Sequence, residues 1–357
     1  TNFSAADTLY AKWTANVYTV TLDPGAVYTS AGTGVIYEKY GVGWYSDAAC
    51  TNKITSITIP AREGYTFVSY CTADAYKGRS NAYSYVDSDG TLDLYADFVS
   101  DITLHAAWMA NQYKVTFNAN CAGIESPTYG YDYDAKFESY SPSYRAGYTF
   151  AGWYTEAKGG TMVADASCTT QKSVAGIIDA NGNYVHADAL TLYAHWQGNE
   201  QTNTLPATAA QKSINNVADT TSKPRTGDTV VITVTPPDGQ RIATLAIKDG
   251  SGSGVEFTPT TFNADGSAQD LTFTQPASGV TVTPTFEYIT YTVTYDDNNA
   301  TVNHSGGGTT FTYNSTSIAL PTAPTRTGYT FGGWTITRTG SVGKVNGGSN
   351  DVEAEAT

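Results

Sequence analysis

Short segments with an apolar residue at every second position recur along the chain. Tyr18–Asp23 ("YTVTLD"), Tyr113–Asn118 ("YKVTFN") and Tyr291–Asp296 ("YTVTYD") put aromatic and aliphatic side chains on one face and mainly Thr on the other. That alternation predicts half-buried strands. A second segment follows a glycine: "REGYTF" (Arg62–Phe67), "RAGYTF" (Arg145–Phe150) and "RTGYTF" (Arg326–Phe331). The last two continue into "AGW" (Ala151–Trp153) and "GGW" (Gly332–Trp334), where the first has "VSY" (Val68–Tyr70). A third segment reads "TLYAKW" (Thr8–Trp13), "TLHAAW" (Thr103–Trp108) and "TLYAHW" (Thr191–Trp196). Turn signals such as "DSDG" (Asp87–Gly90) and "DANGN" (Asp179–Asn183) separate the strands. The chain is therefore expected to be all-β and built from tandem small domains.

These three signatures resemble the internalin B-repeat family, also called the Listeria–Bacteroides repeat. Its pattern is an opening YTVTFD-like strand, a GYTFxGW centre and a TLYAxW close. The resemblance covers three repeats and implies β-grasp-like domains in an elongated multi-domain array on a bacterial surface protein. The expected divisions are a first repeat over 15–110, a second over 111–198 and a third over 290–357 lacking its last strand. The first repeat departs at the GW step and inserts "YEKYGVGWYSD" (Tyr37–Asp47).

The pattern changes between the second and third repeats. Residues 199–225 are polar and poor in apolar positions, so they read as a linker or a lightly ordered edge. Residues 226–289 alternate again, with turns at Pro237–Gly239, Asp249–Gly250 and Asp265–Gly266. They form either a divergent repeat module or a β-sandwich-like one.

The two ends of the sequence complement each other. Residues 1–14 hold a closing strand without the rest of its unit, and 290–357 hold a unit without a closing strand. The step from the GYTF Phe to the closing Leu takes 37 residues in the first repeat and 42 in the second. Read across tail and head it takes 35. The expected assembly strand is Leu9, Tyr10, Ala11 and Trp13, and the expected acceptor residues are Tyr291, Val293, Tyr329, Phe331 and Trp334. The expected partners are copies of the chain, head to tail, either in a covalent tandem array or as donor-strand subunits. A segment cut from a longer chain, with each end frayed, and a strand folded back within one chain are the alternatives.

Composition narrows the function classes. The net charge of −14, with 19 Lys and Arg in 357 residues, lacks the basic footprint of a nucleic-acid binder. No apolar run approaches a membrane span, so no membrane insertion is expected in this segment. Cys50, Cys71, Cys121 and Cys168 form no CxxC pair. In an extracellular setting they would pair as Cys50–Cys71 and Cys121–Cys168; four free thiols are the alternative. His105, His186, His195 and His304 have no ligand-spaced partners, and His105 and His195 are expected to face solvent. The acidic turns lack the Glu and the ligand count of a calcium loop. No catalytic residue, metal site or cofactor is expected. The 27 tyrosines include Tyr76, Tyr83, Tyr85, Tyr129, Tyr131 and Tyr133 in clusters. These clusters keep open an adhesin that grips host protein or glycan, beside the leading reading of a non-enzymatic surface stalk, fibre or filament.

Overall fold

A computed structural model describes residues 8–72, 83–315 and 317–335. It is all-β, and the chain separates into two compact units. One holds residues up to Tyr144 together with Phe150–Trp196; the other holds Arg145–Thr149 and the residues from Gln197 on.

The first repeat contains β1 (Val17–Asp23), β2 (Val35–Lys39), β3 (Gly43–Tyr45), β4 (Lys53–Ile54), β5 (Tyr65–Cys71) and β6 (Ile102–Ala110). They lie in the order β4-β3-β2-β1-β6-β5. Its centre is the one parallel pair, the opening strand β1 beside the closing strand β6, with Leu22 opposite Leu104. A parallel pair needs a long crossover, commonly a helix. Among the described residues no helix crosses this sheet; the loop residues Val86, Leu92, Ala96 and Phe98 cover its face instead.

The second repeat follows the same plan with β7 (Gln112–Asn118), β8 (Thr128–Asp132), β9 (Tyr148–Tyr154), β10 (Met162–Asp165) and β11 (Leu190–Gly198), ordered β10-β9-β11-β7-β8. Opening β7 and closing β11 are parallel, with Phe117 opposite Leu192. The centre of its core is Trp153, fully buried, whose Nε1–H donates to the Tyr140 carbonyl at 2.6 Å. In the first repeat Tyr70 stands at that place, and the inserted hairpin supplies the indole. Trp44 in β3 is fully buried, packs edge-on against Phe98 and donates to the Asp93 carbonyl at 2.7 Å. The insertion thus replaces the tryptophan that the divergent "VSY" step lacks.

The divergent module is two-layered. A five-stranded sheet comprises β12 (Ala209–Ile214), β13 (Val217–Ala218), β14 (Thr229–Val234), β16 (Phe257–Thr258) and β17 (Gln269–Thr274). Its second layer is the pair β15 (Gln240–Lys248) and β18 (Thr281–Tyr288). Val230, Ile232, Leu271 and Phe273 of one layer share a core with Ile242, Ile247 and Val282 of the other, which makes the module sandwich-like. Of the two readings of 199–225, a linker or a lightly ordered edge, the described strands fit the edge. Residues 209–218 are the edge hairpin of the module, and Leu205 packs on its core. An edge strand needs only one apolar face, so its polar composition resembles a linker.

The third repeat shows β19 (Thr290–Thr292) and β20 (Thr310–Thr312). The expected disulfides are corrected, because all four cysteines are free. Cys71 is buried with its Sγ against the His105 carbonyl, while Cys50 sits in a left-handed turn at φ 54°. In the second repeat the Cys168 Sγ faces the Tyr140 carbonyl.

Two outcomes are expected from the first repeat. Trp44→Ala removes its largest buried side chain and should cost about 3–5 kcal/mol. Hydrogen exchange should then show β1–β6 losing protection while β12–β18 keep theirs. Glu38 is 1% exposed, with one carboxyl oxygen unpartnered among the described residues and the other facing the Phe98 N–H. Burial, opposed by that N–H and reinforced by Asp97, pushes its pKa up to about 7. The folded state then holds a proton that the unfolded chain releases near pH 4.5. Stability of this repeat should fall as pH rises from about 4.5 to about 7. Glu38→Gln should remove that part of the decline in melting curves at pH 5 and pH 8; an unchanged decline would contradict it.

Candidate assembly surfaces

The intact repeats define what a closing strand does. Leu104 and Ala106 of β6 are 0% and 2% exposed, and Leu192 and Ala194 of β11 are both 0% exposed. The tryptophan ending each strand then bridges two other strands. Trp108 packs edge-to-face on Phe67 at 5.8 Å and donates Nε1–H to the Pro24 carbonyl at 3.2 Å. Trp196 does the same to Phe150 at 5.5 Å and to the Ala119 carbonyl at 2.8 Å. One side chain therefore ties the closing strand to the GYTF strand and to the end of the opening strand.

The same side chains in "TLYAKW" are in water. Leu9, Tyr10 and Trp13 are 79%, 87% and 89% exposed, Ala11 is exposed, and the segment joins no sheet among the described residues. An exposed strand with this pattern invites pairing.

The residues expected as acceptors are in part exposed among the described residues. Trp334 packs on Phe331 at 5.5 Å, Tyr295 at 5.3 Å and His304 at 5.6 Å. Trp153 of the intact repeat meets Phe150 at 5.4 Å and Phe117 at 4.9 Å in the same way. Phe150, however, also carries Trp196, whereas Phe331 is 40% exposed. Tyr291 and Val293 are half-buried, Tyr329 is 69% exposed, and the Tyr291 hydroxyl is enclosed without a partner among the described residues.

The other candidate residues serve packing and turns. His105 Nδ1 lies 3.0 Å from Asp23, and His195 stacks flat on Tyr154 at 3.9 Å, so neither simply faces solvent. Their rings cover neighbouring strands. His186 bonds the Gly176 carbonyl, and His304 Nδ1 is 2.6 Å from Asp297. Tyr85 packs against Phe98 at 5.1 Å, and Tyr131 lies against Phe137 at 4.6 Å, its hydroxyl pushed up to about 12 by burial. Tyr133 meets Tyr65 edge-on, Tyr129 is partly covered by Tyr140, and Tyr83 donates to Asp93. Tyr76 lies outside the described residues. The Asp179 carboxylate accepts the Asn181 and Asn183 N–H groups at 2.8 and 2.7 Å, which holds it below the usual carboxylate range and closes the hairpin turn.

An asparagine outside the three repeated motifs stands three residues beyond each closing tryptophan. Asn16, Asn111 and Asn199 follow Trp13, Trp108 and Trp196 at that spacing. Asn16 and Asn111 each turn Nδ2 to the hydroxyl of the tyrosine two residues on, Tyr18 and Tyr113.

Comparison with known proteins finds sequence likeness in parts of the chain. The family model of the Listeria-Bacteroides repeat domain matches residues 113–175 and 291–357. The first repeat, with tyrosine in place of the core tryptophan, is not in either range. Two relatives come from Evansella cellulosilytica. A protein named "Putative membrane protein" is 27% identical over 198 residues, which is 54% of this chain and 24% of that protein. A "Putative Gly-rich membrane protein" is 26% identical over 197 residues, 54% of this chain and 18% of that protein. The chain thus matches about a quarter or less of the length of these curated relatives. Among the described residues no helix is long and apolar enough to cross a membrane. Segments 113–175 and 291–357 of the chain thus match the Listeria-Bacteroides repeat domain.

Proposed function

We propose that the chain is a non-enzymatic structural unit of a bacterial cell-surface stalk or fibre, joined head to tail by its own closing strand. The observation behind this is one pair of exposures. Trp13 and Phe331 are both open to water, at 89% and 40%, while the same two residue types are packed together in both intact repeats.

In this reading Leu9–Trp13 enters the third repeat of a neighbouring copy, parallel to its opening strand. The registers Leu22–Leu104 and Phe117–Leu192 transfer directly and set Leu9 opposite Tyr295. Trp13 then lies edge-on to Phe331 and donates its Nε1–H to the Asp297 carbonyl, the counterpart of the Pro24 and Ala119 carbonyls. Burial of one such leucine contributes about 1.5–3 kcal/mol, and the aromatic pair about 0.5–1.5 kcal/mol more. The surface location is supported by the repeat family and by the names of the two relatives. The non-catalytic role is supported by the four histidines, each of which is committed to a structural neighbour.

Trp13→Asp should weaken head-to-tail association of the 357-residue chain about 100-fold. Sedimentation velocity across a concentration series reads this directly, and the melting of the internal repeats should not change. A wild-type chain that stays monomeric at every concentration, or a variant that associates as the wild type does, would remove the proposal.

A further inference from the structure

The chain passes from one domain to the next through a single residue, and it does so in the same way three times. Asn111 follows β6 and precedes β7; its N–H donates to the Gly64 carbonyl at 2.9 Å and its carbonyl accepts the Tyr133 N–H at 2.9 Å. Asn199 donates to Gly147 at 2.8 Å and accepts from Thr226 at 2.9 Å. Ile289 donates to Gly239 at 2.9 Å and accepts from Tyr313 at 2.9 Å. One peptide group thus extends the sheet behind it, and the next extends the sheet ahead.

The glycine is part of the fit. Gly64, Gly147 and Gly239 all have positive φ, at 74°, 77° and 68°. A Cβ on Gly64 would lie 2.2 Å from the Tyr133 ring, and one on Gly239 would lie 2.1 Å from the Tyr313 ring. At Gly147 the space is taken by Ala277 and Thr226. Two joints add a side-chain bond, with Thr66 Oγ1 donating to Asn111 Oδ1 and Thr149 Oγ1 to Asn199 Oδ1, both at 2.6 Å.

Two further halves of this joint have no counterpart among the described residues. Asn16 already accepts the Tyr40 N–H at 3.0 Å, its Nδ2 is on the Tyr18 hydroxyl, and no acceptor among the described residues takes its N–H. It lines an open cleft of about 540 Å³ with Trp13, Tyr18, Tyr40 and Val99. At the other half, Gly328 has φ 82° with nothing described within 4 Å of a Cβ position, and Thr330 is exposed. Arg326 lies over the Tyr329 ring at 4.3 Å, as Arg62 lies over Tyr65 at 3.7 Å in a formed joint.

We infer that these halves are a docking pair, and that the occupant of the Gly328 face is the Asn16–Gly41 face of a second copy of this chain. The Asn16 N–H donates to the Gly328 carbonyl, Thr330 Oγ1 donates to Asn16 Oδ1, and the Tyr40 ring lies over Gly328. Tyr329 then meets Gly41, which is itself open, as Tyr148 meets Gly227 within the chain. The inference rests on the head-to-tail reading, and adds to the strand a second contact that fixes the angle between copies.

The test uses the full chain with two changes chosen to leave each domain folded. Asn16→Pro removes both the backbone N–H and the side-chain amide offered to the Gly328 half, and keeps the carbonyl that Tyr40 uses. Gly328→Asn tolerates a positive φ but puts a Cβ where the ring must lie. Association is measured by sedimentation velocity beside wild type and Trp13→Asp, with circular dichroism as the folding control. Each joint variant should weaken association about tenfold. Association lost in Trp13→Asp but unchanged in both joint variants would overturn the docking pair and leave strand donation standing. A wild type that does not associate would overturn both.

Discussion

Each intact repeat depends on the parallel contact between its opening and closing strands. In sequence these strands are the farthest apart of any pair in the domain, yet Leu22–Leu104 and Phe117–Leu192 sit at the centre of their sheets. Neither strand has another central partner of its kind, and the crossover loops bury their apolar residues only against the face this pair creates. A repeat without its closing strand has lost the middle of its sheet. In the third repeat the described aromatic set of Tyr295, Phe331 and Trp334 assembles and is half-buried or exposed.

The same dependence explains why a free copy of that strand is chemically costly. Leu9 and Trp13 expose an apolar stripe that every other copy of the motif buries. Water solvates such a stripe poorly, and its backbone edge is a ready template. At each joint one residue, Asn111, Asn199 or Ile289, has both its N–H and its carbonyl engaged in backbone hydrogen bonds.

Much of this was legible in the sequence because the informative residues are large and periodic. The opening, GYTF and closing motifs located the strands, and Trp153, Trp108 and Trp196 took the packed places their repetition suggested. Trp44 was harder to read. It lies in an insertion, and only the fold shows that it enters the same core as Tyr70 from a different strand. The edge hairpin at 209–218 was hidden by its polar face, and the cysteine pairing failed because parity and spacing do not fix where thiols point. The joint asparagines were visible at a constant distance from tryptophan, but their role lies in main-chain groups, which leave little mark on side-chain pattern.

The central claim is that "TLYAKW" is a strand whose sheet belongs to another copy. Hydrogen–deuterium exchange of the peptides spanning Leu9–Trp13 and Tyr291–Asp296, followed by mass spectrometry over a range of protein concentrations, tests it most directly. Protection of both peptides should rise together with concentration, toward that of β6 and β7. Both peptides exchanging as free chain at every concentration would contradict the account.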